Sequence, residues 1–377
     1  MVEIKITDSH IHYGHPGFMH RLISVLDQLH IERFNVVCTP HDKRLSLVPD
    51  ALHLKAHYPQ RIYVFGGLDF STFRTTPQRL GEVFAAYAQT LLDMGCDGIK
   101  MIEGKPDTRK AVPIPPFDSP VYEPYWEKIE TSGIPLVFHV NDPEEFWDKE
   151  RVPSWALEQG WFYGDGTYIN NEAQYHEVFN VLDRHPHLKV VFAHFFFFSA
   201  QLPRLAEYLD RYPNLGVDLA PGIEMFFNLS KTPQAARDFF IKYQDRIFFG
   251  TDIGAMSLSE DLEKGVDFDE TATRLNVVRS FLERQDEYWL DLSPCPLFGE
   301  AEEPFRGLGL PQEALEKIYR TNFERLAGAH PKPLNPSAIL TECERLEAGI
   351  QAMGSVTPGL PGDTSVVRTV KEYFKGL

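Results

Sequence analysis

The chain has 377 residues, 43% of them hydrophobic and 24% charged, the composition of a globular protein with a full core. Its 54 acidic residues outnumber 37 Lys and Arg, for a formal charge of −17. Such a chain is repelled by nucleic acid and by anionic membrane surfaces, so neither is expected as a partner. Cys38, Cys96, Cys295 and Cys343 form no CxxC pair and read as reduced thiols of a cytoplasmic protein, not as a zinc knot or redox motif. The N-terminus has no apolar signal segment, and no run of about 18 apolar residues suggests a membrane span.

Short apolar, β-branched or aromatic runs recur through the first two thirds of the chain. The first four are Ile4–Ile11, Phe34–Thr39, Ile62–Leu68 and Gly98–Ile102, with Pro77–Met94 helical between the third and fourth. Leu136–Val140 is the fifth, followed by a long loop at about Asn141–Asn171 and a helical stretch at Glu172–His185. Val190–His194, Leu215–Leu219 and Ile247–Thr251 complete the set. Strands alternating with helices predict parallel pairing through crossover helices, an α/β fold. Eight such units predict a (β/α)8 TIM barrel, although a doubly wound sheet gives similar local signals. The long loop holds Trp147, Trp155, Trp161, Phe162, Tyr163 and Tyr168. A long βα loop belongs at the catalytic face of a barrel, as a lid or as a packed subdomain. Beyond Asp252, helices are predicted at Leu275–Leu290 and Leu310–Ala329, around a Pro/Gly-rich loop at Pro294–Gly309. Residues 1–330 are therefore expected to form the barrel domain, with an insertion at about 141–171. Residues 331–377, which include Pro358–Gly362, are expected to be a helical C-terminal extension that packs on the barrel or makes an oligomer contact, a homodimer being the simplest.

His10-Ile11-His12 sits where the first strand ends. Side chains at i and i+2 share one face of a strand, so two imidazoles project together, and Asp8 has the same phase. Alone, such a pair is weak evidence. His139 ends the fifth strand, His194 ends the sixth, and Asp252 follows the eighth. Catalytic groups of barrels sit at those C-terminal ends, and five metal-competent residues placed there point to a joint metal site. Imidazole and carboxylate ligands suit Zn²⁺, with Mn²⁺ or Fe²⁺ also suited. Lys100 ends the fourth strand and, in the barrel mouth, is expected to bind a substrate carboxylate or pair with an acid. Glu103, Lys105 and Arg109 read as a solvated charged loop. In the Phe195–Phe198 tract, strand alternation would turn only half of the rings inward, and most are expected in the core. Asp218 and Glu224 flank the end of the seventh strand, as partners that orient a ligand histidine or as plain surface groups.

The ordered motifs DSHIH, VFHV, VFAH, FFGTD and RTNFERL resemble the amidohydrolase superfamily, and more narrowly the amidohydrolase-related branch that includes aminocarboxymuconate-semialdehyde decarboxylase. The resemblance spans roughly residues 4–330. It implies one divalent metal, usually zinc, held by His10, His12, His139 and Asp252, with His194 a catalytic residue beside the metal-bound water. In binuclear members of the superfamily a carboxylated lysine of the fourth strand bridges two metals; this branch resembles the mononuclear type, which leaves Lys100 outside the ligand set. The implied activity is metal-dependent hydrolysis of a C–N or C–O bond in a small organic substrate, with His194 and Asp252 as proton carriers. The alternative is nonoxidative decarboxylation of an aromatic or unsaturated acid; the aromatic loop and Phe tract lean toward a planar, apolar substrate.

Overall fold

The computed structural model of the protein describes residues 4–254, 266–298, 301, 303–356 and 362–377. Eight parallel strands pair in chain order: β1 (Ile6–Ile11), β2 (Ile31–Val37), β3 (Ile62–Gly67), β4 (Gly98–Gly104), β5 (Leu136–Val140), β6 (Val190–Phe192), β7 (Leu215–Asp218) and β8 (Ile247–Phe248). The sheet closes on itself through backbone bonds from Ser9 N to Phe249 O (2.8 Å), Asp252 N to His10 O (2.9 Å) and His12 N to Ile253 O (2.8 Å). Asp8 reinforces the seam. Its carboxylate accepts from His10 N at 3.0 Å and from the Thr251 hydroxyl at 2.5 Å. The chain is a TIM barrel.

Helices α1 (Met19–Gln28), α2 (Val48–His57), α3 (Leu80–Met94), α4 (Glu123–Thr131), α5 (Asn171–Arg184), α6 (Leu202–Arg211) and α7 (Pro233–Lys242) surround it. The period of two in each strand sorts side chains between two cores. Val36, Val64, Ile99, Met101, Phe138 and Phe192 face the helices in the large outer cluster. Val37, Tyr63, Phe65, Val137, Val191 and Phe248 form a separate inner cluster, closed from below by Phe323. Continuing the inner phase toward the strand C-termini places Lys100, His139 and Asp218 inside the mouth.

Two expected boundaries shift. The sixth strand stops at Phe192, because His194–Phe197 leave the strand as a tight turn. The helix expected at Leu275–Leu290 is α8, Phe268–Glu283. Its start is capped by Asp267, whose side chain accepts from Asp269 N and Glu270 N. Its end yields to the antiparallel pair Glu287–Tyr288 and Phe305–Arg306. The loop expected at Pro294–Gly309 and the segment Pro358–Gly362 lie partly outside the described residues.

The loop after β5 folds on its own aromatic cluster of Phe146, Val152, Ala156 and Tyr163, with Trp147, Trp155 and Trp161 against it. Near the C-terminus, α9 (Pro336–Val356) and α10 (Ser365–Lys375) pair with each other and lie on α3 and α2. The junction is close: Gly95 ends α3 at φ 101°, and a Cβ there would sit 2.5 Å from Pro333 O. Lys55 and Asp97, both fully buried, pair at 2.7 Å, and Asp97 also accepts from Val64 N (2.8 Å) and Lys332 N (2.7 Å). This one carboxylate ties α2, β3 and the start of the extension together. All four cysteines are buried and unpaired. Among the described residues no helix is long and apolar enough to cross a membrane.

Candidate metal centre and active-site cavity

His10, His12 and Asp252 converge where β1 meets the end of β8, each with a ligand atom within 4.8 Å of the others. His12 Nε2 stands 3.1 Å from Asp252 Oδ1, and His10 Nε2 stands 3.7 Å from it. Asp252 holds a left-handed backbone (φ 57°) that turns its carboxylate over the barrel mouth.

The tautomers follow from the partners. His10 Nδ1 lies 2.8 Å from Asp218 Oδ2; a carboxylate accepts, so Nδ1 carries the proton and Nε2 faces the cluster. His194 Nδ1 lies 3.0 Å from Ala220 O, which leaves its lone pair on Nε2 as well. Asp218 is fully buried, and its second oxygen accepts from His194 N (2.8 Å) and Ala220 N (3.1 Å). It therefore orients a ligand candidate and a base candidate at once, one of the two roles the sequence left open for it. Burial alone would raise the Asp218 pKa, but His10 and His194 outweigh it and hold the carboxyl below its usual range. Burial pushes both His10 and His194 down to about 4, so each is neutral near pH 7. At Asp252, His12 and Arg274 overcome burial and keep the carboxylate ionised.

His139 is not in the cluster. Its ring stands 4.8 Å from that of His194, and its Nε2 lies 3.4 Å from Asp142 Oδ1 without hydrogen-bond alignment. Lys100 lies below the mouth, buried, with Nζ 3.4 Å from His10 Nε2, and it is not among the residues that line the cavity above. Burial lowers its pKa to about 8.

That cavity, of about 330 Å³, opens directly over the cluster. His12, His139, His194 and Asp252 form its polar floor, and Phe146, Trp155, Trp161, Phe197 and Phe298 its walls. The aromatic loop thus both packs on itself and lines the site. A second cavity, of about 270 Å³, lies at the opposite end of the barrel beside Lys189, Asp245 and Arg325, away from these groups.

The Glu103–Arg109 segment is not a solvated charged loop. Glu103 takes the outer phase of β4, opposite to Lys100, and is fully buried, its pKa pushed up to about 8 by burial. Lys105 lines the cavity, 4.6 Å over the Trp161 ring and 3.5 Å from Asp142. Arg109 pairs with Glu177 at 2.7 Å. The Phe tract is not a strand either. His194 to Phe197 all have φ near 56°, a left-handed turn that buries Phe195 and Phe196 and turns Phe197 to the cavity. Glu224 also lines the cavity, and burial pushes its pKa up to about 8.

Arg274 was not foreseen. It follows Glu270 by four residues on a helix, a spacing that reads as an exposed ion pair. The structure buries it instead, with Nη1 3.3 Å from Asp252 Oδ2.

A family model described as Amidohydrolase matches residues 81–328. The chain belongs to the amidohydrolase family. The match begins after the first strands, so the His10/His12 pair lies outside it. No curated protein matches the chain. Among solved structures, this amidohydrolase is similar to "Amidohydrorolase II" at 15% identity, covering 86% of this chain and 99% of that one, with a TM-score of 0.51. It is also similar to 5-carboxyvanillate decarboxylase from Novosphingobium aromaticivorans, with manganese bound: 12% identity, 86% and 97% coverage, TM-score 0.51. The Sphingomonas paucimobilis 5-carboxyvanillate decarboxylase gives 13%, 86%, 99% and 0.50. At these identities the likeness is one of fold. Family membership makes the chain an enzyme of a metal-dependent family, and His10, His12 and Asp252 are a group that could hold a metal ion. The donor set is right for a divalent ion, and among the described residues the buried His12 Nδ1 and His139 Nε2 have no hydrogen-bond partner.

Proposed function

We propose that the protein is a metal-dependent hydrolase that cleaves a C–N or C–O bond of a small organic substrate. The convergence of His10, His12 and Asp252 at the base of an aromatic-walled cavity that His12 and Asp252 line carries this reading. These three residues, with His139 as a fourth donor, would hold one divalent ion, Zn²⁺ by its donor chemistry and Mn²⁺ or Fe²⁺ as alternatives. Such an ion supplies Lewis acidity, acidifying water toward a pKa of about 7 and polarising a carbonyl. The chain's own groups supply the rest. His194, neutral and with a free Nε2, accepts the proton of the attacking water and returns it to the leaving nitrogen or oxygen. Asp218 and Ala220 O hold the His10 and His194 rings in register for this. Asp252, paired with His12 and Arg274, stays ionised and would serve as a ligand, its carboxylate a second acceptor for the proton. Trp155, Trp161 and Phe298 exclude bulk water and favour a flat, apolar body.

Those same walls favour a second reading, decarboxylation of an aromatic or unsaturated acid, in which His194 or Asp252 would carry the proton delivered to carbon. Metal-loaded protein should be screened against aryl lactones, anilides and aromatic carboxylic acids, and any hit run in oxygen-18 water. Hydrolysis predicts label in the new carboxyl group. Unlabelled organic product with released CO₂, and deuterium on carbon in D₂O, would replace it with the second reading.

A further inference from the structure

Besides its histidines, the cavity is lined by five ionisable side chains: Lys105, Asp142, Glu224, Asp252 and Arg274. Four of them neutralise one another in pairs, Lys105 with Asp142 at 3.5 Å and Arg274 with Asp252 at 3.3 Å. Glu224 is left over. It stands half-buried in the first turn of the helix Ile223–Lys231, which follows β7. Among the described residues no cation pairs with its carboxyl. The charges that act on it are the carboxylates of Asp142 and Glu145, both from the loop after β5, and its hydrogen bond is to its own backbone N–H. A carboxyl sheltered from water beside two like charges either keeps its proton or takes a cation from outside the chain. The surroundings suit an organic cation. Phe146, Trp155, Trp161 and Phe197 wall the same cavity, and ring faces attract an ammonium, more strongly away from water. The chain already uses that combination once, with Lys105 Nζ held between Asp142 and the Trp161 ring, 4.6 Å from the ring centre. A divalent metal is a poor occupant, because among the described residues Glu224 belongs to no group of three ligand side chains.

We propose that Glu224 is a specificity-determining residue that binds a protonated amine of the substrate. This rests on the cavity being the substrate site. The substrate is then a small, flat molecule whose ammonium group donates to the Glu224 carboxylate, while the bond to be cleaved lies toward His12 and Asp252. An opposite charge favours the ionised carboxyl, so the ammonium itself draws out the charge that burial withholds. A neutral analogue leaves the acid unpaired and binds more weakly.

Benzylamine, a cation at pH 8, and benzyl alcohol, its neutral counterpart of the same size, test this. Both are titrated into metal-free and manganese-loaded protein, with the fluorescence of the cavity tryptophans as the readout. Benzylamine should bind at least tenfold more tightly than benzyl alcohol in both forms. Glu224→Gln should abolish that preference while leaving benzyl alcohol binding within about twofold. Glu224→Asp, which keeps the charge on a shorter arm and is the variant to use if Glu224→Gln does not fold, should retain part of it. A chain of charge −17 attracts any cation, so Glu145→Gln, which removes an equal charge from a residue that does not line the cavity, is the control and should preserve the preference. Equal losses in Glu145→Gln and Glu224→Gln would mean general attraction to an acidic protein and overturn the proposal. So would a preference that survives Glu224→Gln, one seen only with manganese, or none in the wild type. If the chain binds no manganese but the metal-free preference follows Glu224, the metal reading fails and the glutamate assignment stands; manganese bound without any preference gives the reverse.

Discussion

Asp218 decides which nitrogen of His10 is available, from 208 residues away in sequence. Its carboxylate takes the Nδ1 proton, so Nε2 is the basic atom presented to the cluster, and burial keeps the ring neutral, as a metal ligand must be. His194 owes its tautomer to a backbone carbonyl instead. The two histidines are thus prepared alike but placed for different tasks. His10→Ala should lose the metal, while His194→Ala should keep about one divalent ion per chain and lose turnover by 100-fold or more, the scale of general base catalysis. Elemental analysis beside an activity assay checks both. Two metals in the wild-type protein, or an empty site in His194→Ala with a full one in His10→Ala, would overturn the assignment.

At the scale of elements, the turn that follows β6 is what brings His194 over the cavity. Four consecutive left-handed residues cost roughly 1–2 kcal/mol each for side chains with a Cβ. The aromatic packing offsets this. Phe196 stacks on Phe192 at 3.8 Å, Phe195 stacks on Phe240 at 5.7 Å, and the Tyr175 hydroxyl donates to Phe196 O at 3.0 Å. Phe197, only half-buried, reports on the backbone. In a right-handed helix alanine is better than glycine, but here Phe197→Gly should be more stable than Phe197→Ala by about 1 kcal/mol. Equilibrium denaturation of the pair measures it, and the usual order, alanine ahead, would show that the turn is right-handed.

The whole molecule is held at its C-terminal end by contacts between distant segments. Asp97 joins α2, β3 and Lys332, and the Tyr373 ring of α10 lies 4.7 Å from His53 and 4.8 Å from His57 on α2. Burial, and then the neighbouring His57, lowers the His53 pKa from 6.5 to about 4. The unfolded chain therefore takes up a proton on this residue below pH 6.5 that the folded chain refuses until about pH 4. Stability conferred at neutral pH is lost across that interval as pH falls. Melting curves between pH 7 and 4 should show a shallower decline for His53→Gln than for the wild type; parallel declines would mean that His53 is not held neutral.

The eight-strand alternation and the polar residues that end β1, β5, β6 and β8 were legible in the amino-acid order, because strand phase is a local property with a period of two. The same phase rule puts Lys100 inside the barrel and Glu103 outside it, although charge alone suggested a solvated loop for the second. What lay beyond the sequence depends on which strands and helices become neighbours. Asp218 reaches His10 only because the barrel closes, and α8 carries Arg274 to Asp252 only because it docks across the mouth. The left-handed turn at His194–Phe197 has no local signal either, since its residues prefer other conformations and only the packing of Phe192, Tyr175 and Phe240 around them makes it the lower-energy arrangement. Local periodicity therefore determined the barrel and the candidate ligands, whereas the tautomers, the buried charges and the reach of the cavity were decided by contacts that exist only once the chain has folded.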